Sequence, residues 1–276
     1  MKINLTKKAK KRIILLISVI LFGVFAYWQN NDITVSEYEY TSSKVAKEFD
    51  GFRIVQLSDY HNKYCGENQK NILNIVSELS PDIIVITGDI IDQNFKGYEN
   101  SQELVIGAVE IAPVYYVTGN HERSSDEYEI IRKTMLDAGV NVLEDEIAEI
   151  KKGDAAIQIV GLDYDSLQSN VLESLMAQTD ENSISVLLSH NPEEIDYYSE
   201  CGADMVFCGH AHGGQIRLPF TQGLYAPDQG ILPKYTAGVH ESDNLTEYIS
   251  RGIGNSGFPL RIFNRPEIVC VTLRAE

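Results

Sequence analysis

At 276 residues, 43% of them hydrophobic and 23% charged, the chain can bury a sizeable core, which excludes disordered, collagenous and small disulfide-stapled classes. Its formal charge of −17 is unevenly spread: the first twelve residues hold six bases and no acid, leaving 17 bases against 40 acids, or −23, in the rest. A body this acidic repels a phosphate backbone, so stable nucleic-acid binding is not expected, and a phosphate-bearing ligand needs metal cations to neutralise it.

The N-terminus carries a membrane-targeting pattern. Lys2, Lys7, Lys8, Lys10, Lys11 and Arg12 precede an uncharged apolar run over 13–28, and the polar Gln29-Asn30-Asn31-Asp32 follows. The 16 residues of that run, at about 1.5 Å rise, cover about 24 Å against a hydrocarbon core of about 30 Å, so length alone leaves a signal peptide and a thin anchor both open. Tyr27 and Trp28 favour the anchor, because interfacial aromatics suit a spanning helix whereas a cleavage site needs small residues. The expected layout is a basic cytoplasmic tail over 1–12, a transmembrane signal anchor over 13–28, a linker and first strand over 29–48, and one large domain over 49–276, outside the cytoplasm by the positive-inside rule.

From Ile33 onward, short apolar runs alternate with helical periodicity, an α/β layout. The run 52–57 reads as a strand ending at Ser58-Asp59, and Ile72, Leu73, Ile75, Val76 and Leu79 then recur at helical spacing before Pro81. A second strand, 83–86, ends in Thr87-Gly88-Asp89; 104–112 reads helical; a third, 114–117, ends in Thr118-Gly119-Asn120-His121. A helix over 126–138 closes on Gly139, and an antiparallel stretch follows through Leu162 with a turn at Lys152-Gly153-Asp154. A helix near 171–178 leads to a strand over 184–188 ending at Ser189-His190, and a strand over 205–208 ends at Gly209-His210-Ala211-His212; the run 268–273 reads as the last strand. Cys65, Cys201, Cys208 and Cys270 show no metal-binding spacing and read as buried free thiols, with the pairing of any two left open.

The strand ends collect Asp59, His61, Asp89, Asn120, His121, His190, His210 and His212, taking five of the six histidines and leaving His240 outside. In an α/β sheet, ligands gather beyond the carboxyl ends of the strands, so clusters far apart in sequence can converge on one site. Carboxylates, imidazoles and an amide oxygen suit divalent first-row metals, and seven such donors exceed the needs of one tetrahedral ion, which points to two.

These residues fall into four motifs: D-x-H at Asp59 and His61, G-D-x-x-D from Gly88 to Asp92, G-N-H-E from Gly119 to Glu122, and G-H-x-H from Gly209 to His212, with His190 between the third and fourth. In that order they resemble the calcineurin-like metallophosphoesterases. The resemblance implies a four-layer α/β/β/α sandwich over 49–276, here preceded by one transmembrane helix. It implies that Asp59, His61 and His212 bind one metal, that Asn120, His190 and His210 bind the other, and that Asp89 bridges them. It makes His121 the catalytic histidine that contacts the phosphoryl oxygen or protonates the leaving group, with Asp92 or Glu122 standing behind to orient it. Manganese, iron, nickel or zinc would serve, manganese best among them.

Gly209 to Gln215, Ser189 to Glu193, Ser250 to Gly257 and the ending Phe263 to Ile268 resemble the membrane-associated bacterial branch, which includes phosphodiesterases and the UDP-2,3-diacylglucosamine pyrophosphatases. Arg251 and Arg217 are candidate phosphate contacts; Arg123 reads better as paired with an acid. The expectation is a membrane-anchored hydrolase in which a hydroxide shared by two metals attacks a phosphodiester or pyrophosphate on a lipid or envelope-linked substrate, with the bilayer as a partner. The alternatives are a UDP-2,3-diacylglucosamine pyrophosphatase-type hydrolase, a nuclease or cyclic-nucleotide phosphodiesterase, and a non-catalytic binding module.

Overall fold

The computed structural model describes residues 6–218 and 222–276; Lys2 of the basic tail, and three residues of the 218–240 loop, lie outside them. The N-terminal segment forms one helix, α1 (Lys7–Asn31), 25 residues long, capped by Thr6, whose side chain accepts the Ala9 N–H at 3.2 Å. At 1.5 Å per residue this is about 37 Å, long and apolar enough to cross a bilayer. The helix extends past Trp28, so 29–31 belong to it and the expected linker shrinks to the few residues before β1 (Thr34–Ser42).

The body is built on two six-stranded sheets. The first has the order β1-β14-β2-β3-β4-β5, from β1, β2 (Arg53–Leu57), β3 (Ile83–Thr87), β4 (Val114–Val117), β5 (Asn141–Val142) and β14 (Glu267–Ala275). The second has the order β12-β13-β9-β8-β7-β6, from β6 (Glu146–Lys152), β7 (Ala155–Gly161), β8 (Ile184–Leu188), β9 (Met205–Cys208), β12 (Gly238–Ser242) and β13 (Leu245–Ile249). β10 (Tyr225–Ala226) and β11 (Gly230–Ile231) form a separate short hairpin. The helices α2 (Lys70–Glu78), α3 (Glu99–Val109) and α5 (Tyr128–Ala138) cover the first sheet, α6 (Val171–Met176) and α7 (Ile195–Glu200) the second; the short α4 (Asn120–Arg123) stands at the end of β4.

The four layers follow from the strand pleat. In β3, which is buried throughout, Ile84 and Ile86 pack under the helices while Ile83 and Val85 face the other sheet. In β9, Met205 and Phe207 enter the inter-sheet core, and Val206 and Cys208 face α6 and α7. The hairpin of β6 and β7 is antiparallel, as its Lys152-Gly153-Asp154 turn predicts; β2, β3, β4 and β5 run parallel in the first sheet, β7, β8, β9 and β13 in the second, and β14 lies antiparallel to β2. All four cysteines are free.

Glu247, in the middle of β13, is fully buried, and among the described residues its carboxylate meets no N–H or hydroxyl donor, only the Cys208 thiol. Burial pushes its carboxyl well above the ordinary carboxylate value. A raised folded-state pKa leaves stability intact while both states are protonated and erodes it as pH climbs above the unfolded value. Glu247→Gln is therefore expected to stabilise the fold by about 2 kcal/mol near pH 7, with the gain vanishing below about pH 4. Thermal melts of the detergent-solubilised chain across that range check it.

Candidate metal centre

The polar clusters sit where the parallel strands of both sheets end, and the two sheets are stitched there. The Gln56 amide donates to Thr87 Oγ1 and to the Cys208 carbonyl, both at 2.8 Å, joining β2 to β3 and to β9 of the other sheet. Beyond β2 the chain runs beside the end of β3: Asp59 N–H reaches Gly88 O at 3.0 Å and His61 N–H reaches Asp89 O at 3.0 Å. The third loop closes on these. A side chain at Gly119 would put a Cβ 2.3 Å from Asp89 Oδ1, and one at Gly88, whose φ is +86°, would stand 2.7 Å from His190 Nδ1, so both positions demand glycine.

Asp89 is the centre of the cluster. His121 N–H donates to its Oδ1 at 2.9 Å, which leaves Oδ2 facing the Nε2 atoms of His190 at 3.3 Å, His61 at 3.8 Å and His121 at 3.9 Å. Although burial works to raise it, those imidazoles hold the Asp89 carboxyl far below the ordinary range. Burial opposes the charge on His190, yet Asp89 pushes that imidazole up to about 10. Two groups of donor atoms converge here, one of Asp59, His61, Asp89 and His212, the other of Asp89, His190 and His210. Among the described residues, buried Asp59 Oδ2 and Asn120 Oδ1 have no hydrogen-bond partner, an arrangement that costs folding energy unless something binds there. This donor set fits divalent metal ions.

The outer atoms of the imidazoles fix which nitrogen faces the centre. His190 Nδ1 lies 2.7 Å from the Thr87 carbonyl, which can only accept, so Nδ1 carries a proton and Nε2 is the nitrogen turned to the centre. His210 Nε2 lies 2.8 Å from Asp228 Oδ2, freeing its Nδ1. His61 and His212 point their Nε2 atoms at one another at 3.1 Å, as two imidazoles converging on a shared cation do. His121 is turned differently: the Gln93 N–H donates to its Nδ1 at 3.1 Å, so the neutral ring carries its proton on Nε2, which faces Ser256 Oγ at 3.1 Å.

Asp92 lies between His61 Nδ1, at 3.7 Å, and His121 Nδ1, at 3.4 Å. Glu122 accepts the N–H groups of Asp89 and Gly119 at 2.7 Å and of Ile91 at 3.2 Å, stapling the second strand-end loop to the third. Burial and the Asp89 charge push its carboxyl up to about 7. The arginines are engaged elsewhere: Arg251 with buried Glu267 at 2.8 Å, Arg217 with Gly213 O and Thr236 Oγ1, and Arg123 with Glu144 and Asp163. His240 packs on Tyr235, away from the cluster.

Sequence reading missed four groups that touch these side chains. They are Asp228 behind His210, Ser256 before His121, Asn264 donating to the His212 carbonyl at 2.7 Å, and fully buried Arg261, whose guanidinium lies 3.4 Å from His212 Nδ1 and otherwise serves carbonyls of its own loop. Ser256 and Asn264 lie in stretches whose composition stands out; Asp228 and Arg261 carry no local signal.

Residues 52–214 match the family described as calcineurin-like phosphoesterase. The uncharacterized metallophosphoesterase YkuE of Bacillus subtilis (strain 168) is 30% identical over 92% of this chain and 90% of its own length. Phosphodiesterase YaeI of Escherichia coli (strain K12) is 28% identical over 80% of this chain and 82% of its own. A transmembrane protein with metallophosphoesterase domain from Danio rerio is 26% identical over 87% of this chain and 57% of its own.

Removing the carboxylate behind His210 frees the ring to rotate. Asp228→Asn is expected to weaken divalent-metal binding about tenfold in calorimetric titration, with an unchanged melting curve for the metal-free chain.

Proposed function

Since the chain belongs to the calcineurin-like phosphoesterases and is a metal-dependent phosphoester hydrolase, we propose that it acts as a membrane-anchored phosphodiesterase using two divalent ions. The observation that carries this reading is the place of Asp89 in both donor groups. Asp59, His61 and His212 would hold one ion, Asn120, His190 and His210 the other, with the Asp89 carboxylate between. When bound, the ions supply Lewis acidity to phosphoryl oxygens and activate a water for in-line attack. The mixed donor set suits manganese best among manganese, iron, nickel and zinc.

The chain's own groups supply the rest. His121 presents its Nε2–H towards the mouth, where it can donate to a phosphoryl or leaving-group oxygen, and the Gln93 N–H holds the ring in that tautomer. Asp92 and Glu122 keep that ring and the Asp89 loop in place. Arg251 and Arg217 would reach a phosphate only by leaving their present partners. The 25-residue α1, with five bases among its first six residues, supports single-pass anchoring with the body outside the cytoplasm. The substrate class that fits an anchored site is a phosphodiester or pyrophosphate on a lipid or envelope-linked molecule, and the acidic body disfavours nucleic acid.

The detergent-solubilised chain, supplied with manganese, is expected to hydrolyse bis(4-nitrophenyl) phosphate faster than the matching monoester. Asp89→Asn should abolish turnover, and His121→Ala should lower kcat about 10²- to 10⁴-fold without loss of metal. Monoester preference would overturn the diesterase assignment, and full activity in both variants would overturn the site.

A further inference from the structure

The end of α1 does not hang from the body on a tether. Gln29 is buried, with its Oε1 accepting the Asn264 N–H at 3.1 Å; Asn30 Oδ1 accepts from Asn255 Nδ2 at 2.9 Å and from Arg261 N at 3.1 Å; and Asp32 pairs with Arg265. Phe25 packs edge-on against Phe263 with ring centroids 5.5 Å apart. All these partners lie in the 252–266 loop, which also carries Ser256 against His121, Asn264 against the His212 carbonyl and Arg261 against His212. One loop therefore grips the helix on one side and the metal centre on the other.

This fixes the level of the site relative to the helix. Phe25 lies about one turn inside the apolar run that ends at Trp28, so Phe263, 57% exposed beside it, stands at the depth of the helix's apolar segment. The other loops around the centre carry exposed apolar side chains as well. Phe95 follows the segment that reaches His121, Phe258 follows Ser256, and Ile231 and Leu232 end the hairpin whose turn holds Asp228 against His210. That hairpin region joins the helix-gripping loop through Arg217 N–H to Ile262 O at 2.9 Å. Between 215 and 240 the sequence has a single acid, Asp228, in a chain holding 40. Exposed apolar groups on three loops that each touch a histidine of the centre mark an interaction surface, joined to a helix fit for a bilayer through Phe263 and Phe25.

We propose that these loops rest in the leaflet from which α1 emerges, so that the mouth of the metal centre opens on the headgroup layer and takes its phosphoester from a lipid there. The inference rests on the reading that α1 spans the bilayer. It is tested with the full chain in phosphatidylcholine–phosphatidylglycerol vesicles whose acyl chains are brominated near the headgroup. Trp28 is the single tryptophan of the wild type and reports the helix. Ile231→Trp and Phe258→Trp, each in a Trp28→Phe background, report the rim, and Leu136→Trp on the distal end of α5 is the control. Loss of emission at both rim positions, with the control unchanged, is the expected result. Quenching of Trp28 without quenching of the rim would overturn the proposal and leave the anchor standing. Equal quenching of rim and control would overturn it too. An unquenched Trp28 would overturn the anchor and this inference together.

Discussion

The structure depends on a backbone constraint at the strand ends. Asp59, His61, Asp89, His210 and His212 all have left-handed backbone, with φ of 50°, 47°, 54°, 65° and 48°. Each such residue costs about 1–2 kcal/mol relative to a right-handed or extended conformation. The turn is what reverses each side chain into the gap between the two sheets instead of letting it continue along the strand. The cost is offset by the surrounding hydrogen bonds: Asp59 and His61 N–H on the carbonyls of the β3 loop, Asp59 Oδ1 on His210 N–H at 2.9 Å, Asp89 Oδ1 on His121 N–H. Carboxylates thus do double service, one oxygen fixing a loop and the other facing the centre.

The same economy explains the electrostatics. Three imidazoles surround Asp89 Oδ2; the outer nitrogens of His190 and His121 are tied by a carbonyl and a backbone N–H, and His210 nearby is tied by the Asp228 carboxylate, so the orientation of these rings is set before anything binds. A centre assembled this way is preorganised, and its buried oxygens without partners among the described residues mark where binding energy would be recovered.

Much of this was legible in the sequence. Strand runs ending in G-D, G-N-H and G-H-x-H gave the strand ends, and their parallel order gave convergence, because parallel neighbours deliver their carboxyl ends to one edge. What stayed hidden depends on contacts made through space. Asp228 lies in a loop without periodicity, and its role exists only because the β10–β11 turn folds onto His210. Arg261 looks like a surface base until its loop buries it. Gln29 to Asp32 read as a polar linker because polar residues after an apolar run usually leave the membrane for water; here Gln29 to Asn31 continue the helix, and Gln29, Asn30 and Asp32 bond the 252–266 loop. Arg251 looked free to bind phosphate because its buried partner Glu267 is 16 residues away.

On the proposed reading, strained strand ends from two sheets hold two metal ions on either side of one carboxylate. Crystals of the chain grown with manganese, with anomalous diffraction recorded at an energy where that metal scatters, test it most directly. Two peaks flanking Asp89 about 3.5–4 Å apart are expected, with His190 and His210 on one and His61 and His212 on the other. A single ion that leaves Asn120, His190 and His210 unbound, or none at all, would contradict it.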